Sequence, residues 1–139
     1  MPADRVLARR IAIDPDPLEP SRIAAGYTVG DLICLSGQGA IDERGQLVGI
    51  GDFEAQAAGT LDNIENVLRA AGSGLDRVVK VTIYLTDMAA NFGKVVQLRE
   101  RWGRPYPADT IVEVSALAIP ELLLEIDVIA VAGSVTKVG

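Results

Sequence analysis

Residues 122–132 constrain the fold more than any other segment. Leu122, Leu124, Ile126, Val128 and Ala130 fall on one face of an extended strand. Leu123, Ile129 and Val131 make the other face apolar too, interrupted only by Glu125 and Asp127. A strand apolar on both sides needs cover on both sides. The segment before it, 110–117, places Val112, Val114 and Ala116 on one face, with Ile111 and Leu117 on the other, beside Glu113. A short turn around Pro120 joins the two segments, which predicts that they pair antiparallel.

Further elements supply the rest of the sheet and its cover. Residues 22–28 and 31–37 predict two strands broken at Gly30-Asp31, a hairpin signal. Asp14-Pro-Asp-Pro-Leu-Glu-Pro20 forbids helix and predicts an extended or turning loop. Over 53–71, Ala57, Leu61, Ile64, Leu68 and Ala71 recur at helical steps, and Gly72 stops the helix. In 78–86, Val79, Val81, Ile83 and Leu85 alternate as in a strand. A second helix over 90–103 has Phe92, Val95, Val96 and Trp102 as its apolar side, ended by Arg104-Pro105-Tyr106-Pro107.

The expected architecture is a single α+β domain over 1–139. Two helices cover only one face of such a sheet. The other face is too apolar for water, so burial against further copies of the chain is expected. The competing arrangement, a monomer with a loop over that face, has few loop residues to draw on.

Composition removes several function classes. The chain has no histidine, which excludes a Ser-His-Asp triad, a Cys-His pair and imidazole metal ligands; no metal site is expected. A net charge of −6 opposes a phosphate backbone, so nucleic acid is not an expected partner. Arg5, Arg9 and Arg10 read as part of a solvated N-terminal strand. Cys34 is the single cysteine, set in an apolar run, and reads as a buried structural thiol rather than a nucleophile. Neither an apolar signal region nor a stretch of membrane-spanning length is visible, so a cytoplasmic protein without a membrane partner is expected.

The remaining chemistry rests on carboxylates, hydroxyls, cationic side chains and bound water. Glu125 and Asp127 project to the same face of an otherwise apolar strand. There each must be paired, protonated or solvated in a cleft. One is expected in a structural ion pair. The other is a candidate general acid/base whose pKa burial raises.

Several segments together resemble the RidA/YjgF family. They are Asp31-Leu-Ile-Cys-Leu-Ser-Gly-Gln38 with Gly45-Gln-Leu-Val48, and Gln56 to Gly72. They continue with Val79-Lys-Val-Thr-Ile-Tyr-Leu85, then Pro107-Ala108 through Val112-Glu-Val114 to Glu125-Ile-Asp-Val-Ile-Ala-Val131. The likeness runs in order from about residue 20 to residue 132. It implies a chorismate-mutase-like fold: a mixed sheet backed by two helices, with three subunits closing a central barrel of sheets. It also implies small-molecule clefts between subunits, no cofactor, and hydrolysis of reactive enamines or imines to ketoacids and ammonia.

On that resemblance Glu125 matches the glutamate that activates water, and Ser36 and Gly37 match the strand end lining the cleft. The arginine that clamps the substrate carboxylate is replaced by Asp109, a reversal of charge that disfavours the usual α-imino acids. In the second helix, Val96 and Arg99 stand where the family has Asn and Tyr. Several readings of Asp109 stay open. Arg22, Arg101 or Arg104 supplies the missing cation; the ligand is neutral or cationic; Asp109 joins Glu125 as a catalytic carboxylate pair; or Asp109 makes only a local backbone bond. The candidate catalytic residues are thus Glu125 and Asp109, with Ser36, Gly37, Arg22, Arg104 and Ile111 as candidates for substrate binding. A cleft hydrolase and a non-catalytic binding or regulatory trimer are both compatible with this set. A ribonuclease is disfavoured by the acidic balance and the missing histidine.

Overall fold

The computed structural model describes residues 5–139. Residues 1–4, which open both the expected domain and the stretch without a signal region, lie outside the described residues. The described chain forms β1 (Ala8–Arg10), β2 (Gly26–Val29), β3 (Leu32–Leu35), α1 (Phe53–Ala70), β4 (Val78–Leu85), α2 (Met88–Arg99), β5 (Ala108–Glu113) and β6 (Leu124–Val131). The six strands make one mixed sheet in the order β1-β2-β3-β6-β4-β5. The fold is α+β, with both helices packed into one core against one face of the sheet.

Strand β6 occupies the interior of the sheet, antiparallel to β3 on one side and to β4 on the other. Its face formed by Leu124, Ile126, Val128 and Ala130 is at most 2% exposed. Side chains of α1 (Leu61, Ile64, Leu68) and α2 (Val95, Leu98) close over that face. α1 starts where the Asp52 carboxylate accepts from the Ala55 amide at 3.1 Å, a side-chain N-cap. It stops before Gly72, whose φ of 74° suits a residue without a Cβ.

Four expectations change. The two last strands do not pair with each other, because β4 lies between them and β5 runs parallel to it. The segment 114–123 is long enough to carry the chain past β4. The interior place goes to β6, which is apolar on both faces, and the edge goes to the more exposed β5. On β4 the inward residues are Val78, Val81, Ile83 and Leu85. A register shift between Val78 and Lys80 makes Val79 the extra residue of a bulge, which resets the alternation. On the second helix the buried stripe is Asn91, Val95 and Leu98, continued by Trp102 in a 3-10 turn, while Phe92 and Val96 are exposed. A stripe through Phe92 and Val96 would have left Leu98 outside the core. Finally, Cys34 is exposed rather than buried. Strand alternation turns Ile33 and Leu35 inward, so Cys34 points to the opposite face.

That opposite face has no helix on it. It carries Tyr27, Val29, Leu32, Val112 and Ile129, all exposed, together with Glu125 and Asp127. At the N-terminal edge β1 is wholly exposed, and Arg9 and Arg10 lie on it.

One buried polar side chain secures the 114–123 segment. The Gln56 amide donates to the Glu121 carbonyl at 3.0 Å and to the Gly49 carbonyl at 3.2 Å, and its oxygen accepts from the Leu123 amide at 2.8 Å. Replacing Gln56 by Leu keeps similar bulk but strands these partly buried backbone groups. The expected loss is about 2–3 kcal/mol, read from urea unfolding. A loss below about 0.5 kcal/mol would mean that the segment holds its place without Gln56.

Candidate functional site

The first turn of the chain beyond β3 builds one wall of a cleft. Gln38 pairs with β6 through both backbone groups, at 2.8 and 3.0 Å with Ile126. This pairing lays Gly37 directly against the side chain of Glu125. A Cβ on Gly37 would lie 2.8 Å from the Glu125 Oε1, so only glycine leaves the carboxylate where it is. Ser36 is fixed by donating its hydroxyl to the Ala24 carbonyl at 2.6 Å, which leaves lone pairs on Oγ free to accept. Ile23 from the Pro-rich side and Ile119 and Leu122 from the 114–123 segment complete a cleft of about 350 Å³. The volume and the mixed apolar and polar lining suit a small organic molecule.

The two carboxylates on β6 divide as their surroundings dictate. Asp127 accepts a hydrogen bond from the Tyr84 hydroxyl at 3.0 Å. This bond, together with burial, pushes the phenol pKa up. The structural partner of Asp127 is therefore a phenol rather than the cation of an ion pair. Glu125 makes no side-chain hydrogen bond or ion pair among the described residues. Burial in the cleft raises its pKa, and the nearby Asp127 charge raises it further. Glu125 is thus an unpaired acid with elevated proton affinity at the wall of a cleft.

Asp109 lies elsewhere. It faces Val81 across the β4–β5 ladder, on the helix side of the sheet, whereas Glu125 faces Tyr84 on the open side. A single chain therefore does not bring Asp109 and Glu125 together. Instead Asp109 takes a bidentate pair from Arg99 at the end of α2: Nε to Oδ2 at 3.0 Å and Nη2 to Oδ1 at 2.7 Å. The pair lines a second cleft of about 360 Å³, walled by Val96, Trp102 and Tyr106, which also holds Arg104. The Arg104 guanidinium lies over the Tyr106 ring at 5.0 Å.

The other named residues take varied places. Arg22 is exposed, in a left-handed conformation after a 3-10 turn; its neighbours Ser21 and Ile23 line the Glu125 cleft and Arg22 itself does not. Arg101 pairs with Asp62 at 3.1 Å. Ile111 is directly opposite Ile83 on the helix side and packs on the core, lining neither cleft. Sequence reading did not assign Arg99 as a partner of Asp109, because no periodic rule links a helix end to a strand ten residues on. It also passed over Tyr84 and the apolar walls Ile119 and Leu122; the alternation of β4 against β6 could have suggested Tyr84. No group of three or more His, Cys, Asp or Glu side chains placed to hold a metal ion occurs among the described residues, nor does a helix long and apolar enough to cross a membrane.

The raised proton affinity of Glu125 has a thermodynamic consequence. An ordinary glutamate titrates near 4.5, and Glu125 in the folded chain titrates higher. The folded state then holds the proton more tightly than the unfolded chain. Its advantage is present below the unfolded value and is lost as pH rises through the folded one. Glu125→Gln removes this dependence. The variant should gain on the parent protein in urea unfolding as pH rises above the ordinary glutamate value of 4.5; a constant difference between the two would show that Glu125 titrates normally.

Comparison with known proteins finds relatives over most of the chain. Residues 19–132 match the family model described as Endoribonuclease L-PSP. A RutC family protein of Pyrococcus horikoshii is 37% identical over 117 residues, covering 84% of this chain and 90% of the relative. Protein DfrA of Myxococcus xanthus is 37% identical over 119 residues, covering 84% and 88%. Among solved structures, the Rid family protein YyfA of Yersinia pestis superposes with a TM-score of 0.82 at 32% identity, covering 91% of this chain and all of that one (100%). The YjgF gene product of E. coli superposes with a TM-score of 0.78 at 30% identity, covering 88% and 98%. On the family-model match, the curated relatives and the superposed structures, the chain belongs to the RidA/YjgF family.

Proposed function

We propose that this chain is a RidA-like small-molecule enzyme that hydrolyses an enamine, imine or related reactive intermediate, with Glu125 as its acid/base. The observation that carries the reading is the state of Glu125: unpaired, half-buried, of raised proton affinity, and held against Gly37 in a cleft of about 350 Å³. A protonated Glu125 can donate to the nitrogen of an imine, or to the β-carbon of an enamine, and either gives an iminium. The resulting carboxylate can then take a proton from the water that attacks the iminium carbon. The C–N bond breaks with that proton returned to nitrogen while the proton of the new hydroxyl passes to the Glu125 carboxylate, giving a carbonyl compound, ammonia and the regenerated acid. The chemistry calls for no metal and no organic cofactor.

The substrate is not expected to be one of the usual α-imino acids. Position 109 carries a carboxylate where the family clamp carries a guanidinium, and that carboxylate is already occupied by Arg99. The uncovered sheet face, with five exposed apolar side chains around Glu125 and Asp127, supports a homotrimer in which sheets enclose a central barrel and clefts lie between subunits. A cytoplasmic site of action belongs to the same proposal and accords with a single cysteine and no internal disulfide. The occupied Asp109 also favours a second reading, a trimer that binds a small ligand without turning it over.

Two measurements test these readings. Sedimentation equilibrium should give three times the chain mass; a monomer that stays soluble at high concentration would sink the trimer. Ammonia release should be followed for a panel of imines and enamines that includes 2-aminoacrylate as the α-imino acid case. Turnover of at least one panel member is expected, with Glu125→Gln lowering kcat by about 10²–10⁴-fold. Thermal-shift ligands without any turnover would favour the binding module instead.

A further inference from the structure

We propose that residues 133–139 form a clasp, fastened by Lys137, that holds the 103–107 loop in place and so sets the opening of the cleft beside Arg99 and Asp109. The segment lies beyond the stretch that matches the family model, which ends at residue 132. The inference rests neither on hydrolysis nor on what the cleft binds.

The loop has few ties of its own. No backbone group of Arg104, Pro105 or Tyr106 pairs with another backbone group among the described residues. Pro105 and Pro107 carry no N–H to donate. The Tyr106 hydroxyl reaches Glu100 only at 3.5 Å, the outer limit of a hydrogen bond. The one short polar tie among the described residues comes from outside the loop: the Lys137 ammonium donates to the Pro105 carbonyl at 2.7 Å. It also donates to the Val78 carbonyl at 2.8 Å, at the bulge where the β4–β6 ladder shifts register. One side chain thus links the loop to the first residue of β4.

The surroundings of Lys137 strengthen the link. Val79, Val131, Val135 and Val138 wall a hollow of about 250 Å³ beside it. Half-buried there, the amine loses hydration, which lowers its pKa against the opposing charge of Asp76. It makes no ion pair among the described residues. The two carbonyls are its hydrogen-bond partners, and charge-assisted bonds to them are stronger than neutral ones. The tail itself is anchored: the Gly133 amide donates to the Gly72 carbonyl at 3.0 Å and the Val135 amide to the Ala132 carbonyl at 2.9 Å. Tyr106 and Pro107 form a partition, lining the hollow on one side and the cleft of about 360 Å³ on the other. The Arg104 guanidinium, lying over the Tyr106 ring, belongs to the same wall. With Lys137 fastened the wall keeps its place; with Lys137 released it swings free and the cleft widens.

Trp102, the sole tryptophan, is 1% exposed and lines the same cleft, so its fluorescence reports the opening. Lys137→Met keeps the apolar stem and loses both donors. In that variant, quenching of Trp102 by acrylamide should rise about twofold or more, and deuterium uptake at the Gly103 amide should quicken about tenfold. Amides of β6 should keep the parent rates. Lys137→Arg, which keeps charged donors, should restore most of the parent behaviour. Lys94→Met, which removes one charge from the helix side, should match the parent. Parent-like quenching and uptake in Lys137→Met would overturn the proposal. So would an equal rise across β6, which would make Lys137 a prop of the whole fold. A further measurement needs no variant to fold. In the parent protein the Gly103 and Val135 amides, bonded at the two ends of the clasp, should open with the same free energy, below that of β6. Clearly different values for the two amides would overturn the clasp as well.

Discussion

The fold depends on β6 holding its register between β3 and β4. Leu124, Ile126, Val128 and Ala130 are packed under two helices, so their alternates must face the other way. A slip of one residue would turn Glu125 and Asp127 into the core and the aliphatic row out of it. No isolated charge of that kind survives in an apolar interior at an acceptable cost. The hydrophobic requirement of one face thus fixes where the acid of the other face stands. The same register sets Gly37 beside the Glu125 carboxylate through the pairing of Gln38 with Ile126.

Two carboxylates that differ by one place along the same face, Glu125 and Asp127, end in different chemical states because their neighbours differ. Asp127 has a phenol donor in Tyr84 and behaves as part of the sheet. Glu125 has none and meets a cleft. A third carboxylate, Asp109, lies on the far side of the sheet and is neutralised by a fork from α2. Desolvation governs the first site and direct pairing the third. The energetic weight of each follows from that distinction more than from the number of charges.

Much of this was legible in the sequence, for physical reasons that can be named. The α1 stripe, the hairpin at Gly30-Asp31 and the interior character of 122–132 each came from a periodicity that burial enforces. Glu125, Ser36 and Gly37 were legible through family resemblance, and the structure brings all three to one cleft. The pairing of the last strands was not legible, since local turn signals do not reveal that a third strand passes between two neighbours in sequence. The α2 face was misjudged because Phe92 and Val96 are apolar yet exposed; hydrophobicity alone could not rank them below Leu98. Asp109 could be seen as a reversal of charge but not as a paired group, because its partner is set by the packing of α2 on the sheet edge.

The walls of the Glu125 cleft come from three distant parts of the chain: the 17–23 segment, the 36–45 segment and the 118–125 segment. None of them can form the cleft alone. The binding surface comes into being only when the central strand has docked between its two neighbours, so it belongs to the globally folded state and to no partly folded one. A ligand seated there has no site in the unfolded ensemble, so its binding stabilises the whole domain by an amount that grows with the ratio of free ligand to Kd. Occupancy of the cleft and persistence of the fold are in this protein one equilibrium viewed from two ends.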